Sequence, residues 1–364
     1  MQPSLSTAHR PSLVEHVASA LRERLGAGVW GKQLPGEREL SQSLQVSRPT
    51  LRSALEILAK EGWFKAEQGR RRSILIPTAA PRRNAARVVA LLSPLPLAEL
   101  VPFAHVWTEC LREFLGRHGY KLRIHVAGRW WQAENPERNL EILTEQQPAT
   151  VWVLFSGSVR VQRWFGASPL ICVTSGSEHT GVQLPSVDLH HRATCRHAAG
   201  RFLALGHQHI VLMRQKTASA GDLESQEGFL EAFRMHPDAT PTVIEHDGTP
   251  EAIRRKLDYL LRGTRRPTGF LVTHAKPAIL VASELIRRNL RIPRDVSVVC
   301  RDSDSFLAYF VPGIARYAVD SQFHAQRLGR LVLQYASGAV PRIQRVRLTP
   351  QFQPGESLAQ RSPG

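Results

Sequence analysis

One segment, LPGERELSQSLQVSRPTLRSA over residues 34–54, constrains the fold of this chain more than any other. Leu40 and Leu44 lie four residues apart, so they share one face of a first helix. After a short break, Ser47 is a good N-cap for a second helix, and Pro49 fits the first turn of that helix because its missing N–H has no partner there. The segment therefore predicts a helix, a tight turn and a second helix.

The second of these helices has two chemically different faces. Its apolar stripe consists of Leu51, Leu55 and Leu58. The opposite face carries Arg48, Thr50 and Arg52. Basic and hydroxyl side chains near the N-terminal end of a second helix are typical of a helix-turn-helix that enters the major groove of DNA by that end.

The flanking sequence extends this motif to a small domain. Residues 12–27 have the leucine spacing of an amphipathic helix, and residues 62–66 and 73–76 can form two short strands. Between these strands lies a basic stretch, residues 68–72, which forms the tip of a hairpin. Three helices followed by a basic hairpin predict a winged helix-turn-helix domain over residues 8–77.

The charge of the chain agrees with a DNA partner. The formal net charge is +17, and residues 1–87 hold 15 Lys and Arg against seven Asp and Glu. A basic excess of this size predicts a polyanionic partner. The rest of the excess is spread over the C-terminal part, so charge alone does not locate the binding site. Binding to a membrane surface is disfavoured, because no basic amphipathic helix carries Trp or Phe on its apolar face.

Several other classes of protein are disfavoured by the sequence. There is no run of 18 apolar residues that would span a membrane, and the N-terminus lacks the apolar segment of a signal peptide. The four cysteines are far apart without a CxxC pair, so they predict reduced thiols in a cytoplasmic protein. We expect no metal site, no cofactor and no catalytic residues.

The remainder of the chain has an α/β pattern. Residues 78–86, TAAPRRNAA, predict a linker, and residues 87–92 begin a series of buried strands alternating with helices. The series includes predicted strands at 151–155 and 269–272 and a predicted helix at 224–235. This alternation predicts parallel sheets with helices on both faces, and about 275 residues suffice for two such sheets. We therefore expect an α/β core over residues 87–360.

Residues 12–77 resemble the DNA-binding domain of GntR-family transcription regulators. The matching stretches are LPGERELS, VSRPTLRSAL and EGWFKAEQGRRRSI. The resemblance implies that the helices and the wing contact DNA through Arg38, Ser47, Arg48, Thr50, Arg52, Gln68, Gly69, Arg70 and Arg71. Two departures from the family pattern are Gly36, where a capping serine is usual, and Arg71, where a second wing glycine is usual.

Residues 87–358 resemble the effector-binding core of LacI-type repressors, which has the fold of periplasmic sugar-binding proteins. The matching stretches include ARFLALGHQHIVLM, EGFLEAFR and LRIPRDVSVV. The resemblance implies two α/β lobes joined by three crossovers, here near residues 185, 315 and 340. It also implies that a small ligand binds between the lobes.

The ligand positions of that family are only partly kept. Ser225 stands where the family has an arginine, and His274 and Ala275 replace its Asn-Asp pair. Asp302 survives, and Asp188 matches a nearby family acid. The candidate ligand residues are therefore Asp302, His274, Ser225 and Asp188. A sugar or related polyol, another small molecule, and the absence of any small ligand all stay open.

The sequence as a whole predicts a bacterial repressor that binds operator DNA as a homodimer under the control of a small molecule. An enzyme fused to a winged helix would need a longer chain and a cofactor lysine. A binding or architectural protein without specific operators is the other alternative. By resemblance, the dimer seam would use one helix near residues 103–118 and another near 277–289. The candidate seam residues are Val106, Cys110, Leu111, Ile279, Val281 and Leu285.

Overall fold

The computed structural model divides the chain into two compact units, Met1–Ala86 and Arg87–Gly364. The structure describes residues 13–26, 30, 34–60, 63–65, 73–74, 87–128, 131, 135–216, 219–338 and 343–361. The expected linker, residues 78–86, lies outside the described residues.

Among its described residues, the first unit contains three helices and a two-stranded antiparallel sheet. Its elements are α1 (Leu13–Gly26), α2 (Glu37–Ser43), α3 (Arg48–Lys60), β1 (Phe64–Lys65) and β2 (Ser73–Ile74). The helices bury a shared core of aliphatic side chains, and all three supply leucines. The most buried of these are Leu21, Leu40, Leu51, Leu55 and Leu58. The leucine spacing of the sequence therefore correctly identified the faces that pack inward.

The second unit contains two lobes, the first built on a parallel sheet and the second on a sheet that is parallel except for its last strand. The first lobe begins with β3 (Val88–Ser93), α4 (Pro102–Arg117), β4 (Lys121–Val126), α5 (Glu137–Gln146), β5 (Val151–Phe155), α6 (Val159–Ala167), β6 (Cys172–Ser175) and β7 (Ser186–Leu189). All six residues of β3 are buried, as expected for a central strand covered on both faces.

The second lobe follows without interruption. Its elements are α7 (His191–Ala204), β8 (His209–Gln215), α8 (Ala220–Ala232), β9 (Thr240–His246), α9 (Pro250–Arg262), β10 (Gly269–Val272), α10 (Ala275–Arg287), β11 (Ser297–Cys300) and β12 (Ala315–Ala318). The chain then continues through α11 (Ser321–Ala336), β13 (Arg345–Leu348) and β14 (Gln351–Gln353).

The strand order shows how the lobes are connected. The first sheet runs β13-β7-β6-β5-β3-β4, and the second runs β14-β12-β11-β10-β8-β9. The chain therefore crosses between the lobes after β7, after β12 and after β13. Within the first lobe α11 packs on α4, and Gly329 lets Phe114 lie against the backbone of α11.

Two details of the sequence prediction need correction. The third crossover lies at residues 349–350 rather than near 340, because β13 still pairs with β7 of the first sheet. In the expected dimer seam, Leu111, Val281 and Leu285 are fully buried in the cores of the lobes, so they offer no surface to a second copy. Val106 is exposed, and Cys110 and Ile279 are partly exposed.

Candidate functional site

The N-terminal end of α3 carries the side chains that the sequence assigned to DNA. The turn before it depends on Gln45, whose φ is +52°. Ser47 caps the helix, because its Oγ accepts a hydrogen bond from the Thr50 amide at 3.3 Å. Arg48 and Arg52 are exposed and Thr50 is half-buried, so one face of α3 presents two cations beside a hydroxyl.

Two further observations concern the first helix of the motif. Arg38 of α2 is exposed. Arg52 donates from Nε to the Glu37 carboxylate at 2.8 Å, which ties α3 to the first turn of α2. Arg52 must therefore give up or share this ion pair to contact a phosphate, whereas Arg48 has no such pair among the described residues. The wing residues Gln68, Gly69, Arg70 and Arg71 lie outside the described part of the chain.

The second unit contains a cavity of about 340 Å³ where the lobes meet. The carboxyl ends of parallel strands from both sheets point into it, which is where open α/β folds bind ligands. One wall is mostly apolar and comes largely from the first lobe. Its members are Leu95, Leu100, Val101, Phe103, Trp107, Phe155 and Val319. The opposite wall belongs to the second lobe and is strongly polar.

Arg301 organises the polar wall. Its guanidinium is 5% exposed and donates to Asp302 through Nε at 2.8 Å and through Nη2 at 3.2 Å. Nη1 donates to Asp222 and to the Ser225 hydroxyl, each at 2.8 Å. Four of the five N–H donors of this side chain are therefore used within the protein.

His274 completes the cluster, at the residue before α10. Its Nδ1 lies 2.8 Å from Asp302 Oδ2, and its Nε2 lies 3.7 Å from Asp222 Oδ1. Burial opposes the imidazolium, but the hydrogen bonds to Asp222 and Asp302 outweigh this and raise the pKa of His274 to about 9. Against the burial of Asp302, Arg301 and His274 hold the pKa of its carboxyl well below the usual range. Two cations therefore face two anions in this cluster.

A second polar group lies at the crossover between the lobes. Asp188, at the end of β7, accepts from Ser177 at 2.5 Å and from Arg347 at 2.6 Å. Burial raises the pKa of Asp188 to about 7, against the effect of these two donors. Arg347 also pairs with Glu224 of α8 at 3.1 Å, so this ion pair links the two lobes.

Two histidines line the same cavity: His324 is buried and His191 is partly exposed. Burial, reinforced by the charge of Arg301, lowers the pKa of His191 to about 3. Burial also lowers the pKa of His324 to about 4, and its Nε2 lies 3.0 Å from the Ser175 hydroxyl. The Nδ1 of His324 has no hydrogen-bond partner among the described residues. Both rings are therefore neutral at physiological pH.

The structure brings together three of the four ligand residues named from the sequence. Asp302, His274 and Asp188 line the cavity. Ser225 does not line it: this residue is fully buried on α8 and supports Arg301 from behind. Sequence reasoning missed Arg301 and Asp222. A charged residue directly after the buried strand β11 was the available signal for Arg301, because strand ends face the cavity.

Two features are absent from the part of the chain that the structure describes. In that part of the chain, no group of three or more His, Cys, Asp or Glu side chains is placed to hold a metal ion. No helix formed by those residues has the length and apolarity that crossing a bilayer requires.

Comparison with known proteins gives two matching family models. Residues 13–74 match the bacterial regulatory proteins of the gntR family, and residues 199–358 match a periplasmic binding protein-like domain. The chain is also similar to the arabinose metabolism transcriptional repressor of Geobacillus stearothermophilus. The two are 24% identical over 291 residues, which cover 76% of this chain and 77% of that protein.

Solved structures share the fold at lower identity. A transcriptional regulator CelR–cellobiose complex superposes with a TM-score of 0.67 at 18% identity, covering 96% of this chain and 100% of that one. A LacI family regulator from Enterococcus faecium with bound ribose gives 0.63 at 16% identity, covering 75% of this chain and 99% of that one. The chain thus contains the DNA-binding domain of the gntR family of bacterial regulatory proteins, together with a periplasmic binding protein-like domain.

Proposed function

We propose that this chain is a sequence-specific transcription repressor whose affinity for operator DNA is controlled by a small polyhydroxylated molecule, a sugar or a close relative. The observation that carries the proposal is the presence, in one chain, of an exposed recognition face on α3 and a polar cavity between two lobes. Neither feature is a reaction centre. The protein acts by binding, in the cytoplasm, and not as an enzyme.

The DNA half of the proposal rests on α3. Arg48, Thr50 and Arg52 project from the first turns of a helix whose other face is packed into the core. Guanidinium groups can read guanine edges bidentately in the major groove, and hydroxyls contact bases or phosphates. The apolar side chains on the opposite face pack α3 into the core and so fix the backbone from which these side chains extend. The relatives named above support the assignment, since one is an arabinose metabolism repressor.

The ligand half rests on the composition of the cavity. Asp302 and His274 are the partly exposed members of the polar wall, and they offer an acceptor and a donor side by side. The facing wall supplies aromatic surface from Phe103, Trp107 and Phe155. Sugars combine hydroxyls with an apolar ring face, so they complement both walls. A ribose complex and a cellobiose complex among the proteins of the same fold also favour this class.

The assembly we propose is a homodimer. Val106 on α4 is 50% exposed, and Ile279 on α10 is partly exposed, so each lobe offers an apolar side chain to a second copy. A two-fold dimer would read a pseudo-palindromic operator. Sedimentation velocity on the full chain tests this: a dimer at micromolar concentration is expected, and a monomer would contradict it.

The function is tested by two measurements on the full chain. Duplexes selected from a random library should bind about 10³-fold or more tightly than unselected DNA. A panel of pentoses, hexoses and disaccharides should contain one compound that raises the melting temperature. At 100 times its Kd this compound should add about 2.7 kcal/mol to the free energy of unfolding. The same compound should change the affinity of the chain for the selected duplex. Equal binding of selected and random DNA would contradict the proposal that the chain is a sequence-specific regulator. If no compound of the panel stabilises the chain, the proposal that its ligand is a sugar is contradicted.

A further inference from the structure

Much of the positive charge of the second unit lies in one segment, which contains two neighbouring helices and the loops that follow them. Residues 250–295 hold 11 Lys and Arg against four Asp and Glu, a net charge of +7. The whole of residues 88–364 has a net charge of +9, so most of the excess outside the winged domain lies in this one segment. The segment comprises α9, β10 and α10, and the two helices pack against each other.

Acidic side chains of this segment form ion pairs with the arginines near the contact between α9 and α10. Glu284, buried on α10, accepts from Arg254, Arg287 and Arg288. Arg288 also pairs with Asp258 at 2.6 Å. Two of these pairs, Arg254–Glu284 and Arg288–Asp258, join α9 to the end of α10, and the other two run along α10. A different set of basic side chains makes no ion pair with these acids, although the charge of Arg262 is close enough to lower the pKa of Asp258.

That set lies along the outer surface of α9. Arg255, Tyr259 and Arg262 follow at helical spacing, and Arg266 comes just after the helix ends. All four are exposed, Tyr259 by 75%. Among the ion pairs between described residues, none involves Arg255, Arg262 or Arg266. We call these four residues the α9 face.

We propose that the α9 face binds the phosphate backbone of duplex DNA, at a second site separate from the helix-turn-helix. Arg255 and Arg262 are seven residues apart, so they are separated by about 10 Å along the helix, or about three 3.4 Å steps of one DNA strand. Guanidinium groups match phosphate oxygens in geometry as well as in charge. The aromatic ring of Tyr259, with a hydroxyl at its tip, adds a further phosphate donor between them.

Duplex DNA fits this surface better than an acidic protein does. A stable protein interface needs a desolvated apolar centre, and Tyr259 is the one large apolar side chain that α9 exposes. Phosphate binding needs only exposed cations. A chain already held on DNA also meets neighbouring DNA at high effective concentration, so even weak contacts of this kind are occupied.

The test uses the full chain with Arg48→Ala and Arg52→Ala, which weaken the recognition helix. Binding of a labelled random-sequence duplex is measured by fluorescence anisotropy between about 50 and 200 mM salt. Adding Arg255→Gln, Arg262→Gln and Arg266→Gln should reduce the salt slope by about 0.9 per lost phosphate contact, up to about 2.7 for three. The three side chains are exposed, so the melting temperature should not change.

A matched control removes the same charge elsewhere. Arg138, Arg196 and Arg330 are exposed on α5, α7 and α11, and their replacement by Gln should leave the slope as in the parent. An equal reduction by both triple variants, or none by the α9 variant, would overturn the proposal. Poly-L-glutamate serves as a second probe. If it binds the parent more tightly than DNA and loses that binding in the α9 variant, the partner is an acidic protein and the DNA assignment fails.

Discussion

Replacing Gly221 by alanine should force the two lobes apart. Gly221 lies in the first turn of α8, in the second lobe, and lines the cavity. A Cβ at this position would lie 2.8 Å from Cδ2 of His191 and 3.0 Å from Oγ of Ser177. Ser177 follows β6 of the first lobe, and His191 begins α7 directly after the first crossover. The contact with Ser177 therefore lies between the lobes, and the contact with His191 lies within the second lobe, beside the crossover.

The magnitude follows from how far the neighbours must move. Ordinary carbon contacts begin near 3.5 Å, so the added Cβ requires a displacement of about 0.5 Å or more. Ser177 cannot turn away without losing its 2.5 Å hydrogen bond to Asp188. Overpacking of this kind costs about 1–3 kcal/mol. If that cost falls on the arrangement that holds the ligand, affinity for the ligand drops by about 5- to 150-fold.

Urea denaturation and ligand titration of the full chain measure the two effects. The control is Gly200→Ala in the neighbouring helix α7, where a Cβ would meet nothing within 4 Å. Because alanine is favoured over glycine in a helix, this control should gain about 0.4–1 kcal/mol. The reasoning is refuted if Gly221→Ala unfolds at the same urea concentration as Gly200→Ala and binds ligand equally well.

Three further predictions concern the DNA face and the cavity. Arg48→Ala should weaken operator binding by about 1–3 kcal/mol with an unchanged melting curve, and unchanged affinity would remove Arg48 from the site. Asp302→Asn should abolish stabilisation by the ligand while operator binding stays near that of the parent, as a thermal shift and a mobility shift would show. The pKa of His274 is raised to about 9 in the folded chain from 6.5, so its contribution to stability is full below about pH 6.5 and is lost as the pH rises through 9. In His274→Gln this loss should be absent from melting curves recorded across that range, and an unaltered pH profile would assign it to another group.

The strands were the most predictable part of the fold. Residues 151–155 and 269–272 are observed as β5 and β10 with the predicted limits, because strands buried on both faces are continuous apolar runs bounded by polar residues. Helix starts were harder to place. α8 begins at Ala220, four residues before the predicted position, since its first turn contains a glycine and has no apolar periodicity of its own.

The sequence indicated which residues lie near the cavity, but not which of them contact one another. The resemblance to the LacI-type core named His274 and Asp302 as ligand positions, and the structure places their side chains 2.8 Å apart. It also indicated that the arginine expected at position 225 was lost. In the structure the guanidinium of Arg301, from a neighbouring strand end, lies against the Ser225 hydroxyl instead. The positive charge next to residue 225 is therefore supplied by a residue far away in the sequence. Such a change cannot be seen from the sequence alone, because the two positions become neighbours only in the folded chain.

The arrangement around Arg301 bears on which ligands the cavity can hold. Arg301 and His274 face Asp222 and Asp302, so the two positive charges are matched by two negative charges inside the protein. An anionic ligand would have to displace a carboxylate from a guanidinium that is 5% exposed, at the cost of leaving that carboxylate buried without its partner. A neutral ligand has no such requirement. It can donate to the partly exposed carboxylate of Asp302, which accepts through several lone pairs, without breaking the cluster, while its apolar face lies against the aromatic wall. Because the positive charges of this cluster are already matched inside the protein, the cavity favours a polyol as its ligand over a phosphate or a carboxylic acid.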